Sequence, residues 1–365
     1  MKPNAQNGAV TNSAGRPPSV SVLMAVYNCA LYLPAALDSI LSQTFTDFEL
    51  VAVDDASTDE TPSILRAYAQ RDQRLLLLRN DSNLKLSTSL NRGLAVCRAP
   101  FVARADGDDL YAPNRLEKQF RFLREHNRAG VVSCYYRTMD SGGHTLDLKK
   151  LPVTDATIKF KLLWESPLCH SGTVFRRDAV QGVGGYDNSH PVAQDYDLWA
   201  RLRDKTEFGN LPQPLMKVRI HGASSSAVRG SDQSRLSVGI SRRLFSDYLD
   251  RQLSENEAAA LKYLLCSYTA VGPNELNAAL RLLDDVIAEA SHREDSSTWR
   301  WARREIAAAL LKQSHFRTYS DPSNSFRLLK RAIGVFTPSL ISRPAMEQTL
   351  RLVLAKSHLR RPRCV

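Results

Sequence analysis

VSVLMAVYNCALYLPAALDSILSQTFTDFELVAVDDAST, residues 20–58, holds an apolar run, a helical pattern and a second apolar run in succession. Residues 20–26 are apolar almost throughout, as in a strand buried on both faces of a parallel sheet. The run ends in Tyr27-Asn28. Leu33, Leu37, Ile40 and Leu41 then put apolar groups on one face of a helix expected over residues 31–43. Residues 48–53 read as a second strand and end in Asp54-Asp55-Ala56-Ser57-Thr58-Asp59. Thr58 is placed to cap a helix over residues 60–71, with Pro62 in its first turn.

The alternation continues. Strands are expected at 75–78 and 101–104, and helices at 87–97 and 113–126. Repeated βαβ units mean an α/β fold with a mainly parallel, Rossmann-like sheet, in which ligands bind beyond the carboxyl ends of the strands. Two acidic clusters fall at such ends: Asp54-Asp55, and Asp106-Gly107-Asp108-Asp109 after the fourth strand. Carboxylates crowded into a tight turn repel one another. A hard divalent cation, Mn²⁺ or Mg²⁺, removes that cost and also holds phosphate oxygens. No Gly-x-Gly-x-x-Gly follows the first strand and no P-loop signature occurs, which disfavours a dinucleotide site or a P-loop.

From residue 131 the pattern is mixed. Strands are expected near 131–137, 173–176 and 215–220, a turn at Gly182, Gly184 and Gly185, and a helix from Asp195. Beyond Ser231 the texture is helical, with segments near 231–251, 255–270, 274–290, 297–314, 324–335 and 345–360. These changes divide the chain into a polar, disordered leader (1–18), an α/β domain (19–228) and an all-helical region with a basic tail (229–365).

An apolar content of 43% and a charged content of 24% are those of a soluble globular protein. Six cysteines without paired spacing point to a reducing, cytoplasmic setting and away from disulfides or a zinc site. The leader lacks the apolar core of a signal peptide. The net charge of +11 is concentrated at one end: residues 291–365 carry 15 Lys+Arg against 5 Asp+Glu. Such a tail calls for an anionic partner. Met346, Leu350, Val353 and Leu354 share one helical face, with Arg351, Lys356, Arg360, Arg361 and Arg363 around and beyond it. A peripheral contact with the anionic inner face of the cell membrane suits that pattern. The basic segment has no nucleic-acid reader motif, and no nucleic-acid partner is expected.

Residues 20–58 resemble the opening of the family 2 glycosyltransferases, which have the GT-A fold. FVARADGDDLYAPNRL, residues 101–116, resembles that family's Asp-x-Asp segment. Residues 171–202, with Gln194-Asp195-Tyr196-Asp197-Leu198-Trp199 near their end, resemble its acceptor segment, and Arg219-Ile220-His221 its late Arg-x-His element. The helical third lies outside the resemblance. The resemblance implies a nucleotide-diphosphate sugar donor, UDP-linked, and a glycan or lipid-linked acceptor in surface-polysaccharide biosynthesis. It implies that Ala25, Tyr27 and Asn28 line the nucleotide pocket, and that Asp55 accepts the uracil N3–H. Arg104 is expected to help bind the diphosphate. The resemblance implies that Asp106 and Asp108 share the metal, ribose and diphosphate, and that His221 is a candidate further metal ligand. Asp195 is the general base of an inverting single displacement, because the acceptor hydroxyl must lose its proton as it attacks. The family shows Glu-Asp where this chain has Gln194-Asp195, which spares Asp195 a like-charged neighbour.

Two rival readings fit the residues less well. A nucleotidyltransferase shares the sheet and the carboxylate–metal chemistry, but would carry a Gly-rich basic signature in place of Ala25-Val26-Tyr27-Asn28. A non-catalytic glycan- or membrane-binding scaffold would be expected to have lost Asp108 or Asp195, and both are present.

Overall fold

The computed structural model describes residues 16–222, 230–266, 272–317 and 321–336. The leader up to residue 15 and the basic helix expected at 345–360 lie outside the described residues. The chain divides into two compact units. One holds the residues up to Leu162 together with Ser166–Ile240; the other holds Leu163–Glu165 and the chain from Ser241 onward.

In the first unit β1 (Val20–Val26), α1 (Leu33–Leu41), β2 (Phe48–Asp54), α2 (Thr61–Arg71), β3 (Leu75–Arg79), α3 (Leu86–Val96) and β4 (Phe101–Ala105) alternate as the hydrophobic pattern predicts. β1 lies between β2 and β4, parallel to both, and β3 extends the block beside β2. This central position explains why all seven residues of β1 are buried. Its one polar side chain is satisfied: Ser21 Oγ donates to Glu49 Oε1 at 2.6 Å, and Arg98 closes on the other Glu49 oxygen.

The second half of the unit adds β5 (Leu110–Tyr111), α4 (Arg115–Glu125), β6 (Ala129–Met139), β7 (Thr145–Lys149), α5 (Asp155–Lys161), β8 (Val174–Arg176), α6 (Arg177–Gly182), α7 (Gln194–Leu202) and β9 (Glu207–Arg219). The strand order is β3-β2-β1-β4-β8-β6-β9-β5, with β7 paired to β6 off that path. β8 runs antiparallel to β4 and β6, whereas β6 and β9 are parallel. The result is a GT-A-like mixed sheet, parallel throughout its first block.

Two local expectations are corrected. The strand expected at 215–220 is the end of a 13-residue strand. Pro212 and Pro214 disguise its first part, since proline cannot donate to a ladder, and the register against β6 jumps there from Cys134–Leu211 to Tyr135–Pro214. Thr58 does not cap α2. That helix starts at Thr61, and Asp59 Oδ1 accepts the Thr61 N–H at 3.0 Å.

The helical unit contains the last part of α8 (Gly230–Tyr248), then α9 (Glu255–Cys266), α10 (Pro273–Arg293), α11 (Ser296–Arg317) and α12 (Pro322–Phe336). Leu261, Leu264, Leu276, Leu283, Ile306, Leu310 and Leu328 are buried. Among the described residues no helix is long and apolar enough to cross a membrane.

Candidate active site

Both acidic clusters stand at the carboxyl ends of the parallel block. After β1 the chain turns at Asn28, whose φ of 50° is left-handed, a region that asparagine tolerates better than most residues. The turn is stitched to the loop after β2. Asn28 N–H donates to Ser57 Oγ at 3.0 Å, Asn28 Oδ1 accepts the Thr58 N–H at 2.8 Å, and Cys29 N–H donates to Thr61 Oγ1 at 2.8 Å. Ala25 is buried at the strand end, while Tyr27 is 49% exposed.

Asp54 and Asp55 do different work. Asp54 closes its own turn, accepting the Ser57 N–H at 3.0 Å and facing Arg79 at 3.4 Å. The buried Asp55 carboxylate reaches across to another loop. Its Oδ1 accepts from Asn80 Nδ2 at 2.6 Å and from the Leu84 N–H at 2.8 Å, and its Oδ2 from the Lys85 N–H at 2.9 Å. Lys85 sits at a φ of 71°, so the carboxylate holds a strained backbone in place.

In the turn after β4, Asp106, Asp108 and Asp109 each bring a carboxylate oxygen within 4.8 Å of the others. Burial, aggravated by Asp106 and Asp108, pushes the Asp109 carboxyl up to about 8. Burial also raises Asp106, against the pull of Arg104 and with the push of Asp108. Three carboxylates this close, two of them resisting ionisation, make an oxygen-donor set suited to a hard divalent cation, so the residues present fit the expected metal. His221 Nε2 lies 2.9 Å from Asp108 Oδ2, at the edge of the set. Asp109 is a tie: it accepts from Ser171 Oγ at 2.6 Å and from the Arg219 N–H at 3.0 Å.

The structure turns Arg104 into the protein, out of reach of the diphosphate contact expected of it. It is fully buried, and its guanidinium is engaged with the Asp106 carboxylate and the carbonyls of Leu23 and Ala105. Strand alternation accounts for this, because Arg104 points to the opposite face from Ala103 and Ala105. Its position makes it the internal counter-charge of Asp106. Arg219 is likewise committed. It donates to the carbonyls of Asp108, Asp140 and Ser141 at 3.0 to 3.1 Å and stacks 4.3 Å over Tyr32, whose ring also meets His221.

Gly107 is required by space. A Cβ there would come within 2.6 Å of Val26 Cγ1 and 2.9 Å of Cys29 Sγ. Gly107→Ala is expected to push the turn outward, weakening divalent-metal affinity about 10-fold while costing roughly 1–3 kcal/mol of stability. Metal titration followed by calorimetry, with a thermal melt alongside, checks both numbers.

Asp195 lies in the first turn of α7, where the helix dipole favours an anion. Ser166 Oγ donates to its Oδ2 at 3.0 Å. Burial raises its pKa above the ordinary carboxylate range, partly offset by these donors, and the Asp106 charge adds to the rise. The base candidate and the acidic turn therefore share one electrostatic environment. Asp197 pairs with Arg201 at 2.7 Å and Trp199 is fully buried, both as expected of structural residues. His170 is held by Tyr186 Oη at 2.9 Å. Ser166, Asn80 and Ser171 are missing from the sequence reading because only tertiary pairing to Asp195, Asp55 and Asp109 distinguishes them from other Ser and Asn residues.

A family model for glycosyl transferase family 2 matches residues 21–184. The glycosyltransferase EpsE of Bacillus subtilis is 38% identical over 207 residues, covering 55% of this chain and 73% of that protein. The amylovoran biosynthesis glycosyltransferase AmsE of Erwinia amylovora is 33% identical over 228 residues, covering 61% of this chain and 84% of its own length. Among solved structures, S. aureus TarS 1–349 in complex with UDP-GlcNAc superposes with a TM-score of 0.55 at 17% identity, covering 89% of this chain and 93% of that one, a likeness of fold.

Proposed function

The chain belongs to glycosyltransferase family 2, and from that premise we propose that it moves one sugar from a UDP-linked donor to a glycan or lipid-linked acceptor in cell-surface polysaccharide assembly. The observation that carries the proposal is the convergence of three carboxylates at the end of β4, with a fourth, Asp195, close enough to feel the charge of Asp106. The likeness to AmsE supports polysaccharide assembly, and the UDP-GlcNAc held by TarS supports a uridine donor.

The nucleotide preference also has a local basis. The Asp55 carboxylate already accepts three protein hydrogen bonds, of about four that its lone pairs allow. One further acceptor position suits the single imide N–H of uracil. Guanine presents adjacent N–H donors and would leave one unpaired, which costs about 1–3 kcal/mol.

In the reaction, Asp106 and Asp108, with His221 beside them, would hold the cation, and Asp109 ties the turn behind them. When bound, it neutralises the charge that develops on the departing diphosphate. Asp195 accepts the proton of the acceptor hydroxyl as that oxygen bonds to the anomeric carbon and the carbon–oxygen bond to the diphosphate breaks, with inversion. Ser166 orients the carboxylate, and Arg104 fixes Asp106 from beneath. The enzyme would act in the cytoplasm, at the inner face of the membrane, with the basic residues 351–363 as its surface contact.

Release of nucleoside diphosphate from UDP-, GDP- and dTDP-sugars, with Mn²⁺ or with EDTA, tests the proposal. Metal-dependent release from a UDP-sugar, at least 10-fold faster than from the GDP-sugars, is expected. Equal or greater release from a GDP-sugar overturns the uridine assignment. Because Asp195 must be ionised to act and its pKa is raised, transfer is expected to fall, as pH drops, at a pH above the ordinary carboxylate range; a pH–rate profile reads this directly.

A further inference from the structure

A short strap, residues 166–171, carries one hydroxyl to the base candidate and another to the acidic turn. Ser166 Oγ donates to Asp195 Oδ2 at 3.0 Å, and Ser171 Oγ donates to Asp109 Oδ2 at 2.6 Å. The strap and these partners all lie in the sheet unit. Between its two ends the strap is pinned by buried side chains. The Pro167 carbonyl accepts from Asn210 Nδ2 of β9 at 3.0 Å. The Cys169 N–H donates to Ser133 Oγ of β6 at 3.2 Å, and that hydroxyl donates to the Cys169 carbonyl at 3.2 Å. A 3₁₀ turn, His170–Gly172, closes the strap, and the Gly172 carbonyl accepts from Gln119 Nε2 of α4 at 2.7 Å. Asn210, Ser133 and Gln119 are all buried, so water does not compete for these contacts.

The reaction explains why such a strap is useful. The acceptor oxygen must reach the anomeric carbon while the leaving diphosphate is held at the acidic turn, so the base and the turn need one fixed separation. Asp109 is the point where the strap grips the turn. Its other oxygen, Oδ1, accepts the Arg219 N–H at 3.0 Å, and two residues further on His221 meets Asp108 Oδ2 at 2.9 Å. Asp109 and Ser171 are buried, so the Ser171 hydroxyl has no substitute from solvent. We propose that Ser171 is a positioning residue for transfer: through Asp109 it registers the acidic turn against the strap, and through the strap against Ser166 and Asp195, without touching substrate. This rests on Asp195 being the base.

The test is a double-mutant cycle of Ser171→Ala and Asp195→Asn in the full chain, with steady-state transfer kinetics, calorimetric UDP binding in Mn²⁺ and thermal melts. Ser171→Ala is expected to lower kcat about 10-fold, within the ~10²-fold that a misplacement can cost, with donor KM and UDP affinity unchanged. In the Asp195→Asn background the same substitution should cost almost nothing more, because no base is left to register. Ser171→Thr keeps the hydroxyl and should recover part of kcat. If Ser171→Ala does not fold, Ser171→Cys, similar in size and a weaker donor, takes its place in the cycle. An unchanged kcat, a parallel loss of UDP affinity, or an undiminished loss in the Asp195→Asn background overturns the proposal. The cycle also separates the two levels. Full activity in Asp195→Asn sinks the base assignment itself, whereas a slow Asp195→Asn that Ser171→Ala slows by the same factor again sinks only the role of Ser171.

Discussion

Asp108→Asn is expected to lower sugar transfer on the order of 10³-fold, because it removes a charged ligand where the leaving diphosphate builds up charge. The position is specific. Asp106 is partly neutralised from beneath by the buried Arg104, and Asp109 is occupied by Ser171 and the Arg219 N–H. Asp108 has side-chain contact with His221 at 2.9 Å and its own side chain is 25% exposed, so it keeps access to a cation. The same substitution relieves like-charge crowding, so the metal-free variant should melt no lower than wild type. The stabilisation that Mn²⁺ gives the wild type should be lost. Activity and melting temperature would thus respond in different directions, which a merely unfolded variant cannot reproduce. Transfer within 10-fold of wild type would remove Asp108 from the machinery.

Asp195→Asn has the second largest expected effect. A general base typically contributes about 10²–10⁴-fold, and an amide cannot take the acceptor proton. The amide is nearly isosteric and still accepts from Ser166, so the fold and UDP affinity should be kept. The diagnostic is a split: kcat for transfer collapses while UDP binding measured by calorimetry is unchanged. Loss of both together would mean that Asp195 serves the donor site.

The parallel half of the fold was legible because β1, β2 and β4 are buried on both faces and therefore carry mostly apolar runs, broken only by Ser21, Glu49, Arg104 and the terminal Asp54. β9 was read only in part because two prolines and a register shift break its pattern, and β7 was missed because all five of its residues are exposed. The acidic turns were visible as local charge, and their placement at strand ends followed from the alternation. The division of labour within them was not legible. Arg104 looks like a phosphate binder until the pleat turns it inward, and nothing local to Asp109 reveals the Ser171 and Arg219 contacts that arrive from distant segments. Ser166 depends wholly on a tertiary contact with a residue far away in the chain.

Calorimetric titration of UDP into the wild-type chain, in Mn²⁺ and again in EDTA, tests the central claim most directly. The account predicts binding in Mn²⁺ that weakens at least 10-fold in EDTA, and the same weakening in Asp108→Asn even with Mn²⁺ present. UDP binding of equal strength with and without metal, or no UDP binding in either, would contradict a metal-assisted diphosphate site at the end of β4.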